Sequence, residues 1–125
     1  MKFNDKVPIY YQIKQYVYQE IILGHLKAGQ KLPAIRQLAV TLTVNVNTIQ
    51  RALSELTTEG IIITQRGKGN FVTNDTQLLQ ALKKRIVTEQ FSELYDKMLA
   101  LKITPAEMVQ YLKNYIDQRK EVQHD

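Results

Sequence analysis

Asn47, Gln50 and Arg51 fall close together in the run Asn45-Val46-Asn47-Thr48-Ile49-Gln50-Arg51. The amides of Asn and Gln both donate to and accept from the edge of adenine. The guanidinium of Arg offers a fork of N–H groups that matches the two acceptors of guanine. Read at about 100° per residue along a helix, Ile49, Ala52, Leu53 and Leu56 share one side. Asn47, Arg51, Ser54 and Thr58 lie opposite, flanked by Thr48 and Gln50. The first side is apolar and calls for burial, while the second carries hydrogen-bonding groups alone. A plain solvated helix face is the alternative, but such faces are rich in Lys and Glu, and the first two turns here hold neither. The chemistry favoured is therefore the reading of base edges in a nucleic-acid groove.

Such a helix must be braced and aimed by its neighbours, and the stretch Leu32 to Val72 supplies them. A preceding helix is predicted over about Ala34–Leu42, burying Ile35, Leu38, Ala39 and Leu42, with Arg36 on the opposite side in its first turn. Thr43-Val44-Asn45 makes the turn, and the Asn45 side chain is suited to accept from the open N–H groups of the next helix. Two helices joined by about three residues match a helix-turn-helix better than a bundle hairpin. Gly60 stands where a left-handed residue ends the recognition helix. Ile61–Thr64 and Asn70–Thr73 then read as two strands, with Arg66-Gly67-Lys68-Gly69 as a hairpin tip bearing two cations. No helix follows this Gly-x-Gly, so it is not the phosphate loop of a nucleotidase. Behind a helix-turn-helix it reads as a wing that lies along phosphates or enters the minor groove.

The flanks are helical. Met1 to Lys6 reads as an extended lead-in. Ile9, Ile13, Val17 and Ile21 recur at helical spacing from Pro8 to Leu23, before a stop at Gly24. Tyr10, Tyr11, Tyr16 and Tyr18 crowd this helix, as packing or subunit contacts in preference to base-stacking groups. A connector runs to Pro33 with its turn at Lys27–Gln30. A long helix is predicted from a cap at Asp75 or Thr76 to about Leu101, with an apolar phase that drifts near Thr88 and allows a kink or break there. Thr104, Pro105 and Glu107 combine a cap, a first-turn proline and a capping-box carboxylate for a last helix, and Arg119 to Asp125 are expected to fray. The two tail helices carry more apolar surface than they can bury against each other. Leu82, Ile86, Phe91, Leu94, Met98, Leu112, Tyr115 and Ile116 are the candidates for contact with a second subunit. The fold class expected is thus mainly α with a small β-hairpin: a winged helix-turn-helix over residues 1–74 and a helical dimerisation segment over 75–125.

Charge divides along the same line. The net charge is +5. Residues 1–74 hold nine Lys/Arg against four Asp/Glu, while residues 75–125 hold eight of each. A basic front half suits a polyanionic partner. With no cysteine, disulfides, zinc-thiolate sites and thiol catalysis are excluded. His25 stands alone in a loop, and no catalytic set of carboxylates and histidines is visible, so no enzyme activity, cofactor or metal is expected. No apolar run approaches the roughly 18 residues of a membrane span, and Met1 to Asp5 lacks a signal-peptide core. A cytoplasmic protein is expected. The rival readings are an RNA-binding winged helix and a protein-interaction module whose basic face is incidental.

Several separated motifs in order, across about residues 7–73, resemble the GntR family of bacterial transcription regulators. They are Pro8-Ile9-Tyr10-Tyr11-Gln12-Ile13, Leu32-Pro33 with Arg36 and Leu38-Ala39, Asn47-Thr48 with Arg51-Ala52-Leu53, Glu59-Gly60, and Gly67-Lys68-Gly69-Asn70-Phe71-Val72. The short two-helix tail is similar to the YtrA-type branch, which lacks the larger ligand-binding domains of its relatives; the tail's own length, about 50 residues without a sheet, leaves only cramped room for a small-molecule effector. The resemblance implies a homodimeric repressor on a palindromic double-stranded operator, in a branch that often controls neighbouring transporter operons. It also implies DNA contacts at Arg36, Asn45, Asn47, Thr48, Gln50, Arg51, Lys68 and Gly69. The helical angle selects the members on the recognition helix without it.

Three residues depart from the family pattern. Ala34 replaces the usual serine cap of the second helix, at a cost on the order of 1 kcal/mol. Thr43 replaces the usual turn glycine and is strained if its backbone is left-handed. Val46 stands where Arg or Pro is common; it cannot donate to guanine but is able to touch a thymine methyl. A base preference different from that of Arg-bearing relatives is expected.

Overall fold

The computed structural model describes residues 2–124; Met1 and Asp125 lie outside them. The elements are α1 (Ile9–Ile22), α2 (Ile35–Leu42), α3 (Val46–Thr58), β1 (Ile62–Gln65), β2 (Gly69–Val72), α4 (Thr76–Ala100) and α5 (Pro105–His124). Residues through Lys83 form one compact unit, and those from Lys84 onward form a second.

The first unit is a winged helix-turn-helix. Its core joins Ile13, Val17, Tyr18 and Ile21 of α1 to Leu38, Ala39 and Leu42 of α2 and to Ile49, Ala52, Leu53 and Leu56 of α3. Ile62 and Val72 close it from the hairpin side, and Leu82, early in α4, is buried at 3% exposure. Each such aliphatic side chain contributes about 1.5–3 kcal/mol through burial. Leu82 is thus already covered within the single chain, unlike the other tail residues expected to meet a second subunit. The first unit runs to Lys83 and so takes in the opening turns of α4.

Ile9 departs from the expected buried stripe and is 44% exposed. It sits in the first turn of α1 and lines an open groove beside α3. Ile35, at the start of α2, is half-buried for a similar end-of-helix reason. The lead-in is not extended: Val7 N–H donates to the Asn4 carbonyl, and Gln12 exchanges hydrogen bonds of 2.8 Å with the Asn4 backbone.

Helix ends follow the local chemistry. After α3, Gly60 adopts φ 82°, which lets Gly60 N–H reach the Thr57 carbonyl and Ile61 N–H the Leu56 carbonyl. Ile61 is thereby spent on the helix stop, and the strands begin at Ile62 and end at Val72, one residue off the positions expected on each side. β1 and β2 are antiparallel with Gln65 opposite Gly69. A third segment joins them: Lys31 bridges to Phe71, with Leu32 N–H donating to the Asn70 carbonyl and Val72 N–H to the Gln30 carbonyl.

In the second unit, α4 continues without interruption through Thr88. The connection turns at Lys102, at φ 61°. Thr104 and Glu107 form the reciprocal capping box, with Thr104 N–H donating to Glu107 Oε1 at 3.0 Å and Glu107 N–H donating to Thr104 Oγ1 at 3.2 Å. These bonds hold the Glu107 carboxyl below its ordinary range. Helix α5 runs to His124, so Arg119 to His124 are helical, not frayed. No residue from 84 to 122 is buried in the chain.

Candidate nucleic-acid interface

Asn45 opens the recognition helix as expected. Its backbone is extended, at φ −69° and ψ 142°, and its Oδ1 accepts from Asn47 N–H at 2.7 Å. This satisfies one of the free N–H groups of the first turn and fixes where α3 begins. The Asn45 oxygen is committed to that cap, so its amide nitrogen is the group left to face outward.

The apolar side of α3 is sealed, with Ile49, Ala52 and Leu56 at 0% exposure. Val46, Asn47, Gln50 and Arg51 are exposed on the other side, and Thr48 is half-buried between the two. Arg36 is exposed on α2, and Arg66 and Lys68 are exposed at the wing tip, with Gly67 at φ 77° turning the hairpin between them. Gly69 is half-buried for a reason the sequence did not reveal. A Cβ on Gly69 would lie 2.9 Å from Lys31 Cε, so the missing side chain makes room for the Lys31 stem to cross the wing. Lys31 is thus a third cation of the wing. Its only sequence signal is its place two residues after Gly29, in a segment that reads as connector.

Asn47, Thr48 and Arg51 come together with Pro8, Ile9 and Tyr10 along one open groove between α3 and the start of α1. Arg36, Arg66 and Lys68 do not line it. The Arg51 guanidinium carbon lies 3.8 Å from the centroid of the Tyr10 ring, and Arg51 Nε lies 3.7 Å from Glu55 Oε2. Periodicity placed Arg51 on the outer face correctly, but it gave no sign of this tether.

Behind the outer face, α1 is riveted to α3 by charge. Lys14 Nζ lies 3.1 Å from Glu55 Oε1 and 2.7 Å from Glu59 Oε2, and the Tyr18 hydroxyl donates to Glu59 Oε1. Burial pushes the Lys14 ammonium down, but the hydrogen bonds to Glu59 and Glu55 outweigh it and hold the group above its ordinary value of 10.5. Lys14 therefore stays charged, and it serves the helix contact, not an external anion.

Among the described residues no cluster of three His, Cys, Asp or Glu side chains is placed to hold a metal ion, and no helix is long and apolar enough to cross a membrane. A capped helix presenting amide and guanidinium groups, braced by a second helix and flanked by a cationic wing, defines a winged helix-turn-helix DNA-binding protein.

Comparison with known proteins gives the family. Residues 9–72 match the profile described as bacterial regulatory proteins, gntR family. The chain is 33% identical to the HTH-type transcriptional regulator YhcF of Bacillus subtilis, over 93% of this chain and 96% of that protein. It is 39% identical to the HTH-type transcriptional repressor YtrA of Bacillus subtilis, over 73% of this chain and 71% of the relative. A GntR family transcriptional regulator from Listeria monocytogenes superposes with a TM-score of 0.84 at 38% identity, covering 90% of this chain and 98% of that one. The chain belongs to the GntR family of bacterial regulatory proteins. It is accordingly a DNA-binding transcriptional regulator and not an enzyme.

Proposed function

We propose that the chain is a homodimeric repressor that acts in the cytoplasm on a palindromic double-stranded operator. The observation that carries this reading is the exposed Asn47, Gln50 and Arg51 on a helix whose first turn is locked by Asn45. In this reading those three side chains read bases, and Val46 touches an apolar base edge such as the thymine methyl. Thr48, Asn45, Arg36 and the wing residues Lys31, Arg66, Lys68 and Gly69 address the backbone.

Support for the dimer comes from the tail. Phe91, Leu94, Leu112, Tyr115 and Ile116 are between 40% and 58% exposed in the single chain, and Ile86 and Met98 are only half-buried. Exposed large apolar side chains in this number suit an interface, and a symmetric dimer places two recognition helices on two half-sites. Repression is the role carried in the name of the YtrA relative, and a neighbouring transporter operon as target follows from the YtrA-type resemblance.

Selection of bound duplexes from a random library tests the reading. The expected product is an inverted repeat with half-sites about one helical turn apart. Enrichment without dyad symmetry would sink the dimer, and preference for an RNA hairpin over every duplex would replace the DNA reading with its RNA rival. Transcript levels in a deletion strain test the sign of regulation: repression requires the genes beside the selected site to rise.

A further inference from the structure

We infer that Tyr10 is a positioning residue for base readout, acting through Arg51. The inference rests on the proposed base-reading role of Arg51 and adds the residue that aims it.

An arginine side chain has many rotamers and loses that freedom when it docks on a base. Here the freedom is already restricted. The Tyr10 ring lies under the guanidinium, 3.8 Å from its centroid to Cζ, and Glu55 Oε2 lies 3.7 Å from Nε. Glu55 is itself held, because its other oxygen takes Lys14 Nζ at 3.1 Å. The guanidinium thus has a floor and a stop. A guanidinium stacked on an aromatic face keeps its in-plane N–H groups free for hydrogen bonding, and the groove that contains this stack also contains Asn47 and Thr48. Tyr10 therefore determines the place from which Arg51 approaches a base, although it lies on α1, outside the helix-turn-helix.

A cation–π contact at an exposed site corresponds to roughly a two- to fivefold change in an equilibrium, and that is the effect expected. The test uses the full chain and the duplex obtained by selection. Arg51→Ala first identifies the base pair at which discrimination is lost. Tyr10→Leu should then lower discrimination at that pair by roughly two- to fivefold, leave the other positions and the salt slope unchanged, and add nothing in the Arg51→Ala background. Tyr10→Phe, which keeps the ring, should preserve discrimination. In the wild-type protein the Arg51 δ-protons should show a ring-current shift, which needs no variant to fold. Several results would overturn the inference: an unshifted Arg51 resonance, full discrimination in Tyr10→Leu, or an equal loss in the Arg51→Ala background. A gain of affinity in Tyr10→Leu would overturn it too, since Tyr10 would then be withholding the guanidinium from DNA. If Arg51→Ala itself leaves discrimination intact at every position, the base-reading role of Arg51 fails and the role of Tyr10 fails with it.

Discussion

Lys14 Nζ lies 2.7 Å from Glu59 Oε2, so a nearly buried ammonium of α1 closes onto the residue that caps α3. The contact fixes the recognition helix against α1 through charge as well as through packing. Removing the ammonium deletes both ion pairs that Lys14 makes with Glu59 and Glu55, and Lys14→Ala should lower stability by about 2 kcal/mol, read as a fall in the urea midpoint at constant slope. Lys14→Met should cost less, because the buried stem is retained. The pH dependence has a definite sign. Folding raises the Lys14 pKa above 10.5, so its contribution is complete below that value and is lost as pH rises through the higher folded value. The difference between wild type and Lys14→Met should therefore be flat across neutral pH and shrink only in strongly alkaline buffer. A difference that shrinks near neutrality would refute the assignment.

Asn45 predicts a second, separable effect. Its Oδ1 bond to Asn47 N–H sets the first turn of α3, so Asn45→Ala should cost about 1 kcal/mol of stability and weaken operator binding. Asn45→Ser keeps a capping oxygen and should restore stability. If Asn45→Ser restores stability but not affinity, the Asn45 amide nitrogen contacts DNA directly.

The recognition helix was legible because its signals are local. A cap, a 3.6-residue period and a left-handed Gly60 all reside in one short stretch, and so do the hairpin and the capping box of α5. What stayed hidden depends on pairing across the chain. Lys31 reads as connector until the bridge to Phe71 makes it a wing residue. Arg51 reads as a free outward side chain until α1 lays Tyr10 against it. Leu82 fits a tail stripe, but it is already buried in the single chain. The drift of apolar phase at Thr88 does not break the helix, which runs from Thr76 to Ala100.

The two departures at the ends of α2 should be correctable. Thr43 adopts φ 56° and ψ 53°, a left-handed conformation in which a β-branched residue carries strain of roughly 1 kcal/mol or more. Ala34 occupies the cap of α2 without a side-chain hydrogen bond. Thr43→Gly and Ala34→Ser should each stabilise by about 0.5–1 kcal/mol. They lie at opposite ends of the helix, so their gains in melting temperature should add. A loss on Thr43→Gly would mean that Thr43 makes a compensating contact.

The wing should act through charge alone. Lys31→Ala and Lys68→Ala should each weaken binding to selected and scrambled duplexes by a similar factor, and each should reduce the salt slope by about one. Gly69→Ala should cost stability, because Gly69 adopts φ 120° and the added Cβ would also meet Lys31 Cε at 2.9 Å. An unchanged salt slope in Lys31→Ala would remove Lys31 from the interface.

The last prediction concerns the tail. Across residues 84–122 nothing is buried in the single chain, and Phe91 and Tyr115 are 56% and 58% exposed. Such side chains in water leave a large favourable term unused, and a second copy of the same two helices is the partner a symmetric half-site reader requires. Wild type should sediment as a dimer. Phe91→Glu or Tyr115→Glu would bury a carboxylate in the interface, which costs at least as much as the roughly 2 kcal/mol lost when an interface anchor is truncated. The dimer dissociation constant should therefore rise by roughly thirtyfold or more. Operator affinity should fall with it, while the melting of residues 1–83 stays the same, because neither side chain belongs to that core. A wild-type chain that sediments as a monomer at micromolar concentration would end the dimer reading and leave the recognition helix to act on a single half-site.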